Sequence, residues 1–133
     1  MALVVPDVGE VELLRKMLRL DEDLTLRLYT VVTGGLSDTT VLGNFTEANF
    51  TGYTSKTLTK TSWPVPTTSG GVTSSTYSPV QTWTNSGASP QTILGYYVVG
   101  VTSGVLLWAE AFAFSETLNP GGTLNLTPKM ELA

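Results

Sequence analysis

The stretch from Thr92 to Phe114, TILGYYVVGVTSGVLLWAEAFAF, constrains the fold more than any other part of the sequence. It is the longest apolar passage of the chain, and the turn signal Thr102-Ser103-Gly104 lies near its middle. Two β-rich arms that flank a short loop ending in Gly are typical of a hairpin whose last loop residue is left-handed. The glycines interrupt the stretch too often for a membrane helix, and Tyr, Val and Phe favour strands. The stretch therefore predicts the central hairpin of an all-β domain.

The second arm of this hairpin is apolar on both faces. By strand alternation, Trp108, Glu110 and Phe112 share one face, and small apolar residues between them occupy the other. A strand at the surface of an isolated sandwich normally has one polar face. We therefore expect the second face to meet either the N-terminal helix or a neighbouring subunit. This is the main indication in the sequence that the protein works as part of an assembly.

The rest of the chain is a succession of short β segments separated by turn signals. The run Leu24–Val32 alternates leucine with polar residues, as a half-buried strand does. Further β-rich segments, bounded by Gly, Pro, Asn or Ser, lie at residues 39–42, 53–60, 72–77, 80–84 and 124–132. About eight strands with regularly spaced turns predict a two-sheet antiparallel sandwich of the jelly-roll kind for residues 24–133.

Residues 1–23 are predicted to form an apolar tail and one short amphipathic α-helix. Helical spacing over Gly9–Arg19 places the apolar residues on one broad face and the basic residues on the other. A helix of about eleven residues is marginal by itself, so this face must pack on something. Two alternatives are open: the helix covers an open end of its own sandwich, or it docks against another subunit. The candidate partner or subunit contacts are Leu3, Val4, Val5, Val11, Leu13, Leu14, Met17 and Leu18 in this region, and Trp108 and Glu110 in the hairpin.

Composition limits the chemistry that this chain can perform. Seven Lys and Arg against eleven Asp and Glu give a net charge of −4, which argues against binding a nucleic-acid backbone. Because the sequence contains neither Cys nor His, it lacks thiol chemistry and the commonest general base and metal ligand. No phosphate-binding glycine loop or metal-ligand spacing occurs. We therefore predict a non-enzymatic protein without catalytic, cofactor-binding or metal-binding residues.

Glu110 is the candidate carboxylate for catalysis, because an acid among aromatic side chains is a feature of some acid catalysts. A single carboxylate without a second one or a His is weak support for that role. An ion pair, for instance with Arg27, or a place at a subunit interface is the expected role of Glu110.

The N-terminal sequence MALVVPDVGEVELL has neither the basic start nor the long apolar core of a signal peptide. The sequence also contains no run of about 18 apolar residues, the length that a membrane helix needs. We therefore expect a protein that is made in a cytoplasm, does not bind a membrane and stays there until assembly.

Six segments form a pattern that extends, in order, over most of the chain. They are VPDVGEVELLRKML, LTLRLYT, TVLGNFTEANFTGYTSKTL, ILGYYVV, GVLLWAEAF and TLNLTPKMEL. This arrangement resembles a family of small structural proteins encoded by tailed bacteriophages. Related small β-proteins are capsid cement or decoration subunits, often trimeric. The resemblance implies a virion component on the capsid surface whose partners are the major capsid protein and further copies of itself, and it implies no catalytic residues.

The resemblance also leaves a second role open, because other proteins of this size class belong to tails or fibres. The alternative function is a tail- or fibre-associated binding module that recognises host-surface glycans. Such a module needs exposed aromatic side chains in a concave groove, for which Trp63, Trp83 and Tyr96 are the candidates, although aromatics pack more often in a core or interface. A cement protein needs a rigid β-scaffold and apolar patches instead.

Overall fold

The computed structural model describes residues 2–133, which contain ten strands and one N-terminal helix, α1 (Asp7–Arg15). The strands are β1 (Leu24–Val32), β2 (Phe45–Glu47), β3 (Lys56–Leu58), β4 (Thr67–Ser69), β5 (Val72–Thr76), β6 (Gln81–Thr84), β7 (Gln91–Gly100), β8 (Leu106–Leu118), β9 (Thr123–Leu126) and β10 (Lys129–Leu132). All pair antiparallel, in sheets layered like a sandwich. The predicted all-β class with one short helix is confirmed, with ten strands in place of about eight.

The strands form three sheets, of which the largest organises the molecule. Its order is β2-β1-β7-β8, and β3 pairs with β1 as well. The other sheets have the orders β10-β5-β4 and β6-β9. Strands β1 and β7 therefore lie at the centre of the large sheet, whereas β8 has a neighbour on one side only.

The predicted central hairpin is confirmed as β7 and β8, and Gly104 in its loop has the expected positive φ of 70°. The loop is fastened to the end of the helical segment by Glu22. One carboxylate oxygen of Glu22 accepts hydrogen bonds from the backbone amides of Thr102 (2.9 Å) and Ser103 (3.0 Å). These bonds, above all the one from Ser103, hold the pKa of Glu22 below its ordinary value. A Cβ at Gly100 would collide with this carboxylate, so a larger residue at the base of the loop would displace the Glu22 side chain.

The main core lies between the large sheet and the elements that face it. Leucines of β1 supply one side of the core, and burial of each such side chain contributes about 1.5–3 kcal/mol. Trp63 packs edge-on against Tyr77, with ring centroids 5.1 Å apart. A second, smaller core lies on the other face of the same sheet, where Tyr97 stacks on Phe45 at 4.3 Å.

The helical segment differs from the prediction of a helix over Gly9–Arg19. Helix α1 ends at Arg15, and a π-helical segment continues over Lys16–Asp21. Leu14 and Leu18 are 1% and 0% exposed and belong to the main core, and α1 packs against β4, β5 and β10. The helix therefore covers its own sandwich, which is the first of the two alternatives drawn from the sequence.

Three predicted β segments were wrong in extent. Residues 39–42 form a turn that leads into a 3₁₀ helix at Leu42–Asn44, and only Lys56–Leu58 of residues 53–60 is a strand. The segment at 124–132 divides into β9 and β10, which pair with β6 and β5 in different sheets. Pro128 separates them, because proline has no amide to donate to a ladder.

Candidate interaction surfaces

Strand β8 is a long edge strand whose outer side has no partner strand within residues 2–133. It contains 13 residues and pairs with β7 alone. At about 3.3 Å per residue, its edge is roughly 40 Å long. Unpaired N–H and C=O groups in such a row form a template for another strand. We call the backbone of Leu106–Thr117 that faces away from β7 the β8 edge.

A large bulge displaces part of β8 from its neighbour. Ile93 pairs with Glu116 and Gly95 pairs with Ala111, so two steps along β7 correspond to five along β8. Bulges bend a strand and redirect its side chains. Phe114 lies in this bulge and is 85% exposed. The bulge therefore presents a large aromatic side chain to solvent at the edge of the sheet.

The two faces of β8 are covered to different extents. Trp108 and Phe112 are half-buried and pack against the main core, and the ring centroids of Trp108 and Trp63 are 6.4 Å apart. On the other face, Ala109 packs beside the smaller core, whereas Leu107 is exposed. Helix α1 packs on other strands, so the expectation that it covers this second face of the hairpin is wrong. The other predicted cover, a neighbouring subunit, stays a prediction.

Glu110 lies on the β8 edge and is hydrogen-bonded within its own sheet. The hydroxyl of Tyr96, its register partner on β7, donates to the Glu110 carboxylate at 2.7 Å. Burial, together with this acid, raises the pKa of the Tyr96 phenol well above its ordinary value, so the phenol remains a donor. The proposed pairing of Glu110 with Arg27 is wrong, because Arg27 Nε lies 3.9 Å from a Glu47 carboxylate oxygen instead.

A groove runs between the β8 edge and the neighbouring strands β9 and β10. One part has a volume of about 290 Å³ and includes Tyr96, Glu110, Phe112, Leu126, Lys129 and Glu131 in its lining. A second part of about 390 Å³ extends along Phe114 and Glu116. Lys129 is paired with Glu131 at 3.1 Å. Glu110 and Glu116 are exposed, and neither forms an ion pair with a residue in the described part of the chain. The groove therefore combines apolar and polar lining residues with two acids that form no ion pair within the described part of the chain.

The N-terminal segment provides a second apolar surface. Leu3 and Val4 are 92% and 75% exposed, and they line a groove with Val5, Leu13 and Leu132. We call these five residues the arm surface. Its members come from the tail, from the outer side of α1 and from the end of β10.

The structure divides the contact residues that the sequence predicted. Leu14 and Leu18 are in the core and are not accessible to a partner, because the sandwich already covers them. Met17 also packs against the core, and Val11 is half-buried. The remaining candidates of the tail and helix are the exposed residues Leu3, Val4, Val5 and Leu13.

The sequence did not single out Phe114 or Glu116 as candidate contacts. The run from Phe112 to Ser115 alternates large and small residues without interruption, so no signal in it marks the bulge that exposes Phe114. The exposure of Glu116 follows from the edge position of β8, which alternation alone does not reveal.

The three aromatic residues that were candidates for sugar stacking are buried. Trp63, Trp83 and Tyr96 all belong to the main core. The indole N–H of Trp83 donates to the Thr54 carbonyl oxygen at 2.7 Å, and Lys56 Nζ lies 5.5 Å from the centroid of the same ring. These three side chains therefore do not form an exposed stacking platform.

Comparison with known proteins gives no family: no family model matches this chain, and no curated protein matches it. Among residues 2–133 there is no cluster of three or more acidic side chains positioned to hold a metal ion. No helix in this part of the chain is both long enough and apolar enough to cross a membrane.

Proposed function

We propose that this chain is a non-enzymatic virion structural protein of a tailed bacteriophage. In this proposal it is a capsid cement protein that binds the major capsid protein at the head surface and bridges capsomers as a homotrimer. The observation that carries the proposal is the presence of two separate surfaces on one β-scaffold that have no partner within residues 2–133, the hydrogen-bonding β8 edge and the apolar arm surface. A protein that bridges two others needs at least two contact surfaces.

The physical requirements of a cement protein fit this arrangement. A stable protein interface buries about 800 Å² on each partner, which is more than a few isolated side chains supply. The β8 edge offers a strand roughly 40 Å long, and the arm surface adds apolar side chains from three elements. Burial of apolar area stabilises the contact by about 25 cal/mol per Å². We assign the arm surface to contacts between copies or with the shell.

The second candidate, a tail or fibre module that recognises host-surface glycans, receives less support. Its recognition surface would consist of exposed aromatic rings, and Trp63, Trp83 and Tyr96 are in the core. Phe114 is the exposed aromatic residue on the β8 edge, and it lacks the polar group with which Tyr and Trp also hydrogen-bond. We therefore retain the capsid cement protein as the proposed function.

The proposal is tested by locating and counting the protein in purified virions. Antibodies against the purified chain are expected to label heads in many places by electron microscopy. Virions made without the gene are expected to lose DNA at a lower temperature than complete virions. Labelling confined to the tail or fibres, or heads of unchanged stability without the protein, would contradict the proposal.

The contribution of the arm surface is tested by removing residues 2–5 alone. Deletion of the whole segment 1–19 would also remove Leu14 and Leu18 and so disrupt the core. We expect the short deletion to weaken binding to heads that lack the protein by at least tenfold while thermal unfolding of the free chain stays unchanged. Undiminished binding of the shortened chain would exclude the arm surface from the contact.

A further inference from the structure

We propose that the β8 edge binds an extended segment of another protein as an added strand, and that this segment carries Lys or Arg residues that pair with Glu110 and Glu116. The inference rests on the proposed function in one respect: under that function, the segment belongs to the capsid protein. It adds the chemistry by which the partner is recognised.

Strand β8 lacks most of the usual protection of an edge strand. Natural edge strands are kept from pairing by shortness, by lysine or proline, or by bulges. The strand has 13 residues and contains no Lys, Arg or Pro. Its remaining devices are the bulge at Phe112–Ser115, a smaller register shift at Leu107 and the two acids. The edge is therefore competent to accept a strand along its regular part.

The two acids of β8 discriminate between a second copy of this chain and a basic strand of another protein. Glu110 and Glu116 lie six positions apart, both exposed and without an ion-pair partner in residues 2–133. A second copy that paired through its own β8 would bring four carboxylates into one seam, and like charges across a strand pair are destabilising. A strand with Lys or Arg opposite these positions gains opposite-charge pairs instead. Charge therefore favours a basic foreign segment over self-pairing.

The groove beside β8 determines which side chains the incoming strand can carry. Alternate residues of an added strand point to opposite faces. Those on the inner face enter the groove that Phe112 and Leu126 line, beside the hydrogen bond between Tyr96 and Glu110. Lys129 is engaged with Glu131 and does not neutralise the two acids of β8. Because Glu110 and Glu116 line the same groove, the segment is expected to carry apolar and basic residues together on its inner face and polar residues on its outer face.

The inference is tested with two synthetic peptides and the ¹⁵N-labelled chain in NMR titrations. One peptide is Val-Thr-Lys-Thr-Val-Thr-Lys-Thr-Val, which places Val and Lys together on one face of a strand, and the matched control has Glu in place of both Lys. We expect the Lys peptide to shift the amide signals of β8 and to bind at least tenfold more tightly than the Glu peptide. Equal affinity for the two peptides, shifts confined to other strands, or no binding of either peptide would overturn the inference.

Charge reversal on the chain provides the matching test. In Glu110→Lys/Glu116→Lys we expect the preference between the peptides to be inverted, whereas Asp7→Lys, at the exposed start of α1, should retain it. Because Glu110→Lys also removes the acceptor of the Tyr96 hydroxyl, the double variant should unfold at a temperature about 2–8 °C below that of the original chain. If it does not fold, Glu110→Gln/Glu116→Gln replaces it and should reduce the preference to within twofold. A preference unaffected by these changes would contradict the role of the acids.

Hydrogen exchange on purified virions separates failure of this inference from failure of the proposed function. We expect the β8 amides of the head-bound chain to exchange at least tenfold more slowly than those of the free chain. A head-bound chain whose β8 amides exchange at the free rate would refute the inference and leave the cement function intact. A chain that binds the Lys peptide through β8 but is absent from heads would refute the cement function and leave the inference intact.

Discussion

The two strands of the central hairpin are both apolar in sequence, yet they occupy opposite environments. From Gly95 to Gly100, β7 is buried at every position, whereas β8 has no buried residue before Leu118. Strand β7 lies between β1 and β8 with a core on each face, but β8 has one neighbour. Hydropathy therefore indicates that a strand needs cover, and topology decides whether the chain itself supplies it. We interpret the apolar surface left on β8 as the part of the hairpin that serves a partner.

The strongest test of this comparison is an alanine substitution in each strand. Ile93 is 0% exposed on β7, so Ile93→Ala should lower the free energy of unfolding by about 2–5 kcal/mol. Phe114 on β8 is exposed, so Phe114→Ala should change it by less than about 0.5 kcal/mol. Urea unfolding of both variants measures the difference. Similar losses in the two variants would mean that β8 is covered in solution.

The next test concerns the close approach of three strands at Gly95. An added Cβ there would meet the Glu110 carbonyl oxygen of β8 and lie 2.6 Å from the Tyr29 hydroxyl oxygen of β1. Gly95→Ala should therefore destabilise the fold by about 1–3 kcal/mol, the cost typical of overpacking. Gly43→Ala is the matched control, because nothing lies within 4 Å of its added Cβ. If Gly95→Ala were as stable as this control, the packing of β8 on β7 described above would be wrong.

A smaller effect is expected for the hydrogen bond that connects the two strands. Tyr96→Phe removes the donor to Glu110 and should lower stability by about 1 kcal/mol. A double-mutant cycle with Glu110→Gln separates this interaction from the rest of the side chain. Glu116→Gln takes the place of Glu110→Gln in a control cycle and should show no coupling to Tyr96. Absence of coupling between Tyr96 and Glu110 would mean that this bond does not form in solution.

The smallest effect is expected at the loop that joins the strands, which the half-buried side chain of Glu22 holds by two hydrogen bonds. The folded state lowers the pKa of Glu22, so its contribution is present above the unfolded pKa and is lost as pH falls through the folded pKa. Glu22→Gln should therefore be less stable than the original chain at pH 7, and the two should converge towards pH 3. Thermal unfolding at both pH values measures this convergence. A stability difference independent of pH would contradict the role of the charged carboxylate.

Much of the fold could be predicted from local pattern. The alternation in Leu24–Val32 gave the bounds of β1 that the structure has, and the glycine at 104 marked the hairpin loop. The same alternation did not reveal that Pro128 divides the last strand between two sheets. Helical spacing grouped Leu13 with Leu14, yet Leu14 is buried and Leu13 is exposed. Which of two such neighbours is buried depends on where the core lies relative to the helix. Contacts between residues distant in sequence determine that position.

The candidate site was predictable only in outline. The excess of apolar residues in Val105–Phe114 indicated that one face needed further cover, and the structure leaves much of that strand exposed. The position of β8 at an edge and the bulge that turns Phe114 outward depend on pairing with β7. The predicted pairing of Arg27 with Glu110 was wrong because it also depends on strand order. Glu47, which lies near Arg27, belongs to β2, on the side of β1 that faces away from β7 and β8.

The central claim is that the β8 edge holds the protein on a phage head by pairing with a segment of the shell. The most direct measurement is an electron cryomicroscopy reconstruction of the virion at a resolution that traces strands. The account predicts many copies on the head, each with an added strand beside Leu106–Ala111 and a basic side chain within reach of Glu110. Copies whose β8 edge faces solvent, or a head that lacks the protein, would contradict it.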